Sequence, residues 1–158
     1  MNLTNYLTTI YKILTQDEEL KRLLIYKPKN ALDDPLSESK PDIGNDWKQI
    51  NKVIKMTPKT DDFSKEALCA VRFYLGLRPE SFDNTMVASQ DIVFDIYAHY
   101  TFDEVDMRMT KIADRVNKLI KNKRIGANKA RIRISTTITN PPNGFTAHKL
   151  VFKFGSVN

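Results

Sequence analysis

The end of the chain alternates between apolar and polar side chains on both sides of a short turn. A period of two places every second side chain on the same face of a β-strand. The turn, NPPNG at 140–144, combines residues that commonly reverse the chain. Two such strands pair antiparallel, so the sequence predicts a closing hairpin. One of its faces is formed by Ala130, Ile132, Ile134, Thr136, Ile138, Leu150, Phe152 and Phe154.

A helix is predicted immediately before this hairpin, over about 103–122. Its first turn is acidic and its end is basic, which suits the helix dipole, and Gly126 follows as a stop signal. Apolar residues recur along it at spacings of four and three. This stripe predicts that the helix packs against one face of a sheet. Its members are Val105, Met109, Ile112, Val116 and Leu119.

Two further strands are predicted upstream of the helix. Residues 91–100 alternate and indicate a strand. Residues 65–78 permit a helix, because Ser64 and Gly76 could cap one, but they also alternate strictly. Their β-branched and aromatic content favours a buried strand.

The N-terminal region predicts two helices within residues 3–25. The first has apolar residues at helical spacing as far as Leu14. Thr15 and Glu18 match a capping box that would start the second, and Pro28 would end it. Residues 47–54 fit both a helical turn and a short strand, so their structure stays open.

These elements predict the fold class. A chain of 158 residues has the length of one domain. We expect an α+β fold: a largely antiparallel sheet of about four strands, with one long helix packed on it. The predicted parts are N-terminal helices over 1–26, an extended loop or arm over 27–62, and a sheet-plus-helix core over 63–158.

Composition and motifs give little support for catalysis or metal binding. Cys69 is the single cysteine, and His99 and His148 are the only histidines, so no cysteine-rich zinc site can form. Asp91 and Asp95 share one face of a strand, but nothing around them predicts a cleft that would separate their pKa values. We expect neither an enzyme nor a cofactor. No apolar stretch approaches the roughly 20 residues of a membrane span, so no membrane partner is expected.

The positive charge is concentrated in one segment. The formal net charge is +6, and residues 103–133 carry all of this excess. Within the predicted helix, four cations recur at spacings of three and four, so they share a face roughly opposite the apolar stripe. This basic stripe suits a solvated surface, a contact between copies, or a surface for nucleic acid. It consists of Arg108, Lys111, Arg115 and Lys118.

A long acidic loop occupies residues 27–46. Its three prolines oppose regular structure, and a loop of this length is commonly functional or disordered. We expect an interaction arm that orders on assembly, with Leu32 and Leu36 as apolar anchors. Its acidic residues are Asp33, Asp34, Glu38, Asp42 and Asp46.

Three sequence stretches together resemble tail terminator and neck proteins of tailed bacteriophages. They are DIVFDIYAHY, VDMRMTKIADRVNKLI and ARIRISTTITNPPNGFTAHKLVFKFGS, and a YKP segment with a DPL loop is also similar. The family's helix has the form R-x-x-x-I-x-D-x-I/V-x-x-L-I. Here it is matched by Arg108, Ile112, Asp114, Val116, Leu119 and Ile120.

The resemblance implies a structural virion protein at the head–tail junction, assembled in the host cytoplasm. Its subunits would form a ring, usually a hexamer, that caps the tail and joins it to the head connector. In such a ring, we expect the basic stripe to face the channel or an adjacent subunit. The implied partners are further copies, tail tube and sheath proteins, neck proteins, and transiently the passing DNA. The alternative is a basic nucleic-acid-binding protein that uses the 103–133 surface.

Overall fold

A five-stranded sheet organises the fold, and its strand order is β1-β2-β3-β5-β4. The short β1 runs parallel to β2, and the other neighbours pair antiparallel. The computed structural model describes residues 2–79 and 87–157. The strands are β1 Ile54–Lys55, β2 Cys69–Leu75, β3 Val87–His99, β4 Arg131–Thr137 and β5 Phe145–Val157.

Five α-helices and one 3₁₀ turn accompany the sheet in these residues, so the predicted α+β class with a mostly antiparallel sheet is confirmed. The sheet has five strands rather than about four, because residues 47–55 supply both of the predicted alternatives, a helix and then β1. The helices are α1 Leu3–Gln16, α2 Glu18–Ile25, α3 Trp47–Val53, α4 Tyr100–Asp106 and α5 Arg108–Ile120, and the 3₁₀ turn is Asp61–Ser64.

The main core lies between the helices and one face of the sheet. Phe94 stacks on Phe73 at a centroid distance of 5.9 Å and meets the edge of Phe152 at 5.7 Å. These rings pack with Ile10 of α1 and Ile112 of α5 in one buried cluster. Burial of such apolar surface is the main stabilising contribution to folding.

The second face of the sheet carries a smaller cluster around the 3₁₀ turn. Phe63 stacks on Phe145 at 4.8 Å and packs edge-on against Tyr97. Apart from this cluster, the second face carries charged residues, including Arg72, Asp95 and Lys149, which are neighbours in register. One face of the sheet therefore packs an apolar core, whereas the other carries charged residues beside a small aromatic cluster.

The prediction of one long helix over 103–122 is wrong. Met107 adopts a left-handed conformation, with φ of 54°, and separates α4 from α5. Asp103 stabilises the break, because its backbone carbonyl accepts from the N–H of Met107 and its carboxylate accepts from the N–H of Met109. The break places Asp106 and Arg108, on either side of Met107, in the interior.

The second helix begins where predicted, but with a different cap. Asp17 accepts a hydrogen bond from the N–H of Leu20 and is the N-cap of α2. Thr15 is still within α1, where its hydroxyl donates to the carbonyl of Tyr11. The predicted Thr15–Glu18 capping box is therefore wrong.

Strand β4 departs from the predicted alternation. Ile132 is opposite Phe152 and Ile134 is opposite Val151, so Arg133 is an extra residue and forms a bulge. Because Phe152 and Val151 lie on opposite faces of the sheet, Ile132 and Ile134 do too. All seven residues of β4 are exposed. The shared inward face predicted for this strand does not form.

Candidate functional site

The predicted basic stripe does not form one exposed surface. Arg108 is completely buried, where its guanidinium forms a salt bridge with Asp106 at 2.8 Å. The same guanidinium donates to the carbonyls of Leu23 and Tyr26, at 2.7 and 2.6 Å. These carbonyls belong to the end of α2, so Arg108 ties α5 to α2. Its predicted place on an exposed stripe is wrong.

Arg115 is also engaged within the subunit. Its guanidinium contacts Asp17 at 2.6 Å and Glu19 at 2.8 Å. Burial alone would raise the pKa of Asp17, but the hydrogen bonds from Arg115 and from the N–H of Leu20 hold it below its ordinary value. This ion pair joins the start of α2 to the middle of α5.

The other two cations of the stripe, Lys111 and Lys118, are exposed, and the ammonium of Lys111 also lies 3.7 Å from the carboxylate of Asp106. They border a cleft of about 230 Å³ between α2, α5 and the acidic loop. Leu23 and Leu36 supply apolar side chains to the cleft. The fold thus brings half of the predicted stripe close to one of the predicted loop anchors.

The acidic loop is held against α2 in the single subunit. Arg22 donates to the carbonyls of Ser37 and Lys40 at 3.0 and 2.9 Å. The carboxylate of Glu18 accepts from the N–H groups of Ile43 and Gly44. Arg22 and Glu18 of α2 thus contact the loop within the single chain, and the expectation that it orders on assembly stays a prediction.

Much of the loop's acidity is used within the subunit. Asp33 pairs with Lys40 at 2.6 Å, and Asp42 pairs with Arg22 at 2.6 Å. Asp46 is the N-cap of α3. The remaining carboxylates are those of Asp34 and Glu38, and both residues are exposed.

The two predicted anchors differ in exposure. Leu32 is 94% exposed, whereas Leu36 is 38% exposed and lines the cleft. Their predicted role toward a partner stays a prediction.

A basic turn over residues 121–131, between α5 and β4, carries five exposed cations that the predicted stripe did not include. The 44 residues after Asp114 contain ten lysines and arginines and no aspartate or glutamate. Three of these cations, Arg115, Arg133 and Lys149, form salt bridges with carboxylates from earlier elements. The other seven are exposed and form no salt bridge with any residue that the structure describes. They are Lys118, Lys121, Lys123, Arg124, Lys129, Arg131 and Lys153.

A polar network crosses the second face of the sheet. Asp95 accepts from the hydroxyl of Tyr74 and from the ammonium of Lys149, both at 2.7 Å. Burial alone would lower the pKa of Lys149, but its hydrogen bonds with the carboxylate of Asp95 and the hydroxyl of Tyr74 raise it, so Lys149 keeps its proton. The network neutralises Asp95 within the subunit, and Arg133 does the same for Asp91.

The thiol of Cys69, the single cysteine, lies in an unreactive setting. Cys69 is buried, and desolvation raises the pKa of its thiol to about 12, so it stays protonated. No group of three metal-ligating side chains comes together within residues 2–79 and 87–157. In the same ranges, no helix has the length and apolar character needed to cross a membrane.

The described residues define an α+β subunit whose distinctive exposed features are an open sheet edge and a basic turn. The chain belongs to the YomW family, whose model matches residues 17–154. It is 37% identical to the SPbeta prophage-derived uncharacterized protein YomW of Bacillus subtilis (strain 168), over 164 aligned positions that cover 95% of each chain. This relationship confirms that the chain is a phage-derived protein.

Proposed function

We propose that this chain is a structural subunit of the phage neck, a tail terminator that assembles into a ring. The ring caps the tail and joins it to the head connector. Two independent lines support the proposal: the membership in a phage-derived family, and the resemblance of the β3–α5–β5 region to tail terminator and neck proteins.

The observation that carries the proposal is the open edge of the sheet at β4. One side of β4 pairs with β5, and no other described strand pairs with its outer side. Ile132 and Ile134 are each 39% exposed there, on opposite faces. An edge of seven residues with exposed apolar side chains is a template for pairing with another chain. In the neck, we assign this edge to contact with the neighbouring copy.

A ring needs two different surfaces on each subunit, because in a head-to-tail contact one surface of a subunit meets a different surface of its neighbour. The β4 edge supplies one of them. The second is the region of α2, α5 and the acidic loop, where Lys111, Lys118 and Leu36 surround the cleft. Glu38 and Asp34 add exposed carboxylates beside it in sequence. This arrangement provides both apolar and charged contacts for the neighbouring copy in the ring.

The alternative, a nucleic-acid-binding protein that uses the whole 103–133 surface, has weaker support. Arg108 is buried in a salt bridge, and Lys111, Arg115 and Arg133 also form salt bridges, so four of the cations in that segment already have a carboxylate partner. A surface for sequence-specific reading would also present side chains for base edges.

The proposal is tested by removing the chain from its phage. Infection with a phage whose gene carries an early stop codon should yield filled heads and separate tails. Supplying the protein from a plasmid should restore joined particles. Joined, infectious particles in the absence of the protein would contradict the proposed function.

A further inference from the structure

We propose that the basic turn, residues 121–131, together with Lys153, binds the phosphate backbone of double-stranded DNA without reading sequence. The choice of DNA as the polyanion rests on the proposed position in the neck, which the genome must pass. The argument for the surface itself rests on its geometry and charge.

The basic turn is fixed by its backbone. The N–H of Asn122 donates to the carbonyl of Ala130 at 2.9 Å, and the N–H of Ala130 donates to the carbonyl of Lys123 at 2.7 Å. Arg124 and Lys129 form the next bridge. These contacts hold both strands of the turn side by side, so its cations are presented from a defined backbone.

The tip of the turn is docked on β5. The N–H of Ala127 donates to the carbonyl of Gly155 at 2.7 Å, and the side chain of Asn128 accepts from the N–H of Gly155 at 2.6 Å. Gly126 approaches so closely that an added Cβ would lie 2.2 Å from the carbonyl oxygen of Gly155. A turn held this way loses little conformational entropy when it binds a ligand.

Like charges are held next to each other on this surface. Arg131 is directly opposite Lys153 in the ladder between β4 and β5, and Arg124 is opposite Lys129 in the turn. Like charges in directly opposite positions destabilise a sheet. A bound polyanion would relieve this repulsion, because its negative charges would contact cations that no described carboxylate neutralises.

The chain's own acidic loop is a poor match for this surface. Of its five carboxylates, those of Asp33 and Asp42 are in salt bridges, and that of Asp46 caps a helix. Two carboxylates of the loop remain, whereas the surface carries six cations, five in the turn and one at Lys153. The acidic loop of a second copy therefore cannot neutralise the surface, whereas a DNA duplex presents one phosphate charge about every 1.7 Å of its axis.

The composition of the turn favours phosphate contact over base reading. It contains no aromatic side chain that could stack on a base. The amide of Asn128 already bonds to Gly155, which leaves Asn122 as the one amide side chain of the turn with no described partner. Lysine and arginine contacts to phosphate position a protein on DNA but carry no sequence information.

The test measures binding of the full chain to a 30-base-pair duplex by fluorescence anisotropy between 50 and 200 mM salt. Neutralisation of about six phosphates predicts a roughly 1,000-fold loss of affinity over this range, with the same result for unrelated sequences. The variant K123Q/K129Q/R131Q should reduce the slope of log K against log salt by about 2.7. The matched control K12Q/K48Q/K59Q removes equal charge from exposed sites elsewhere and should keep the wild-type slope.

Three results would overturn the proposal: no binding at 50 mM salt, equal losses in both triple variants, or tighter binding to polyglutamate than to the duplex. The last result would assign the surface to an acidic protein. Unchanged urea midpoints for both variants would show that folding is intact. Imaging of rings separates this inference from the proposed function, because DNA binding without rings contradicts only the neck assignment, and rings without DNA binding contradict only the inference.

Discussion

Arg108 and Asp106 form a salt bridge between two side chains that are both completely buried. The residue between them, Met107, is 70% exposed and left-handed, so the chain turns outward for one residue and places both charges inside. The remaining donors of Arg108 serve the end of α2. This pair therefore fixes the elbow between α4 and α5 and its attachment to the N-terminal helices.

Removing either partner of this pair should destabilise the subunit strongly. Breaking a buried ion pair leaves an uncompensated charge and costs about 3–5 kcal/mol. We expect R108M and D106N each to lower the free energy of unfolding by roughly this amount in urea titrations. The control K118M changes an exposed lysine of the same helix and should stay within about 0.5 kcal/mol of wild type. A loss below about 1 kcal/mol for R108M would contradict the structural role.

The exposed Lys118 of the predicted stripe should behave differently from the two engaged arginines. K118E, at the stripe cation that forms no described salt bridge, should unfold at the same urea concentration as wild type, since exposed substitutions rarely change stability by more than about 0.5 kcal/mol. In a phage complementation assay, this variant should impair the joining of heads and tails. R108E/R115E should fail to fold. Normal joining by K118E would show that this side of α5 makes no neck contact.

The ion pair between Asp17 and Arg115 should give stability a defined acid dependence. The pKa of Asp17 is below its ordinary value of 3.8 in the folded chain, so the stabilisation is present above that pH and is lost as the pH falls toward the lower, folded value. The variant D17N keeps an N-cap but loses the charge. The difference in unfolding free energy between wild type and D17N should therefore shrink below about pH 4. A difference that stays constant from pH 7 to pH 2.5 would exclude this contribution.

The open edge at β4 should be required for assembly but not for folding. I134K places a charge on an exposed position of the edge, which opposes strand pairing. We expect the subunit to keep its unfolding midpoint and to lose ring formation on tails. M107K makes the same change at an exposed methionine away from the sheet and should leave assembly unchanged. Rings formed by I134K would indicate that neighbours meet elsewhere.

The acidic loop should depend on Arg22 for its order. R22M removes the donors to Ser37 and Lys40 and the salt bridge to Asp42, so we expect faster amide hydrogen exchange in residues 33–44. E38K reverses an exposed carboxylate of the loop and should leave exchange unchanged. Equal protection in R22M and wild type would show that the loop is held by other contacts.

The predictable part of the fold comes from periodic patterns. The alternation in β3 and β5 and the apolar spacing in α1 and α5 correctly identified sheet and helices, because burial of one face leaves a repeat in the sequence. The short β1 left no such repeat. The bulge at Arg133 was also not predictable. The extra residue is defined only by the pairing of β4 with β5, and this pairing places Ile132 and Ile134 on opposite faces of the sheet.

The burial and the ion-pair partners of the charged residues were harder to predict. Helical spacing placed Arg108 and Arg115 beside Lys111 and Lys118, but their partners Asp106 and Asp17 depend on the break at Met107 and on the packing of α2. Neither feature follows from periodicity. The absence of carboxylates after Asp114 was a readable signal for the basic turn, because cations without nearby carboxylates in sequence need partners from a distance or from another molecule.

The most direct test of the neck assignment is electron microscopy of a purified neck fraction from phage that carries a tagged version of this chain. We predict a closed ring of several tagged copies, most simply six, where the tail meets the head connector. A single copy at that position, or intact necks from which the chain is missing, would contradict the account.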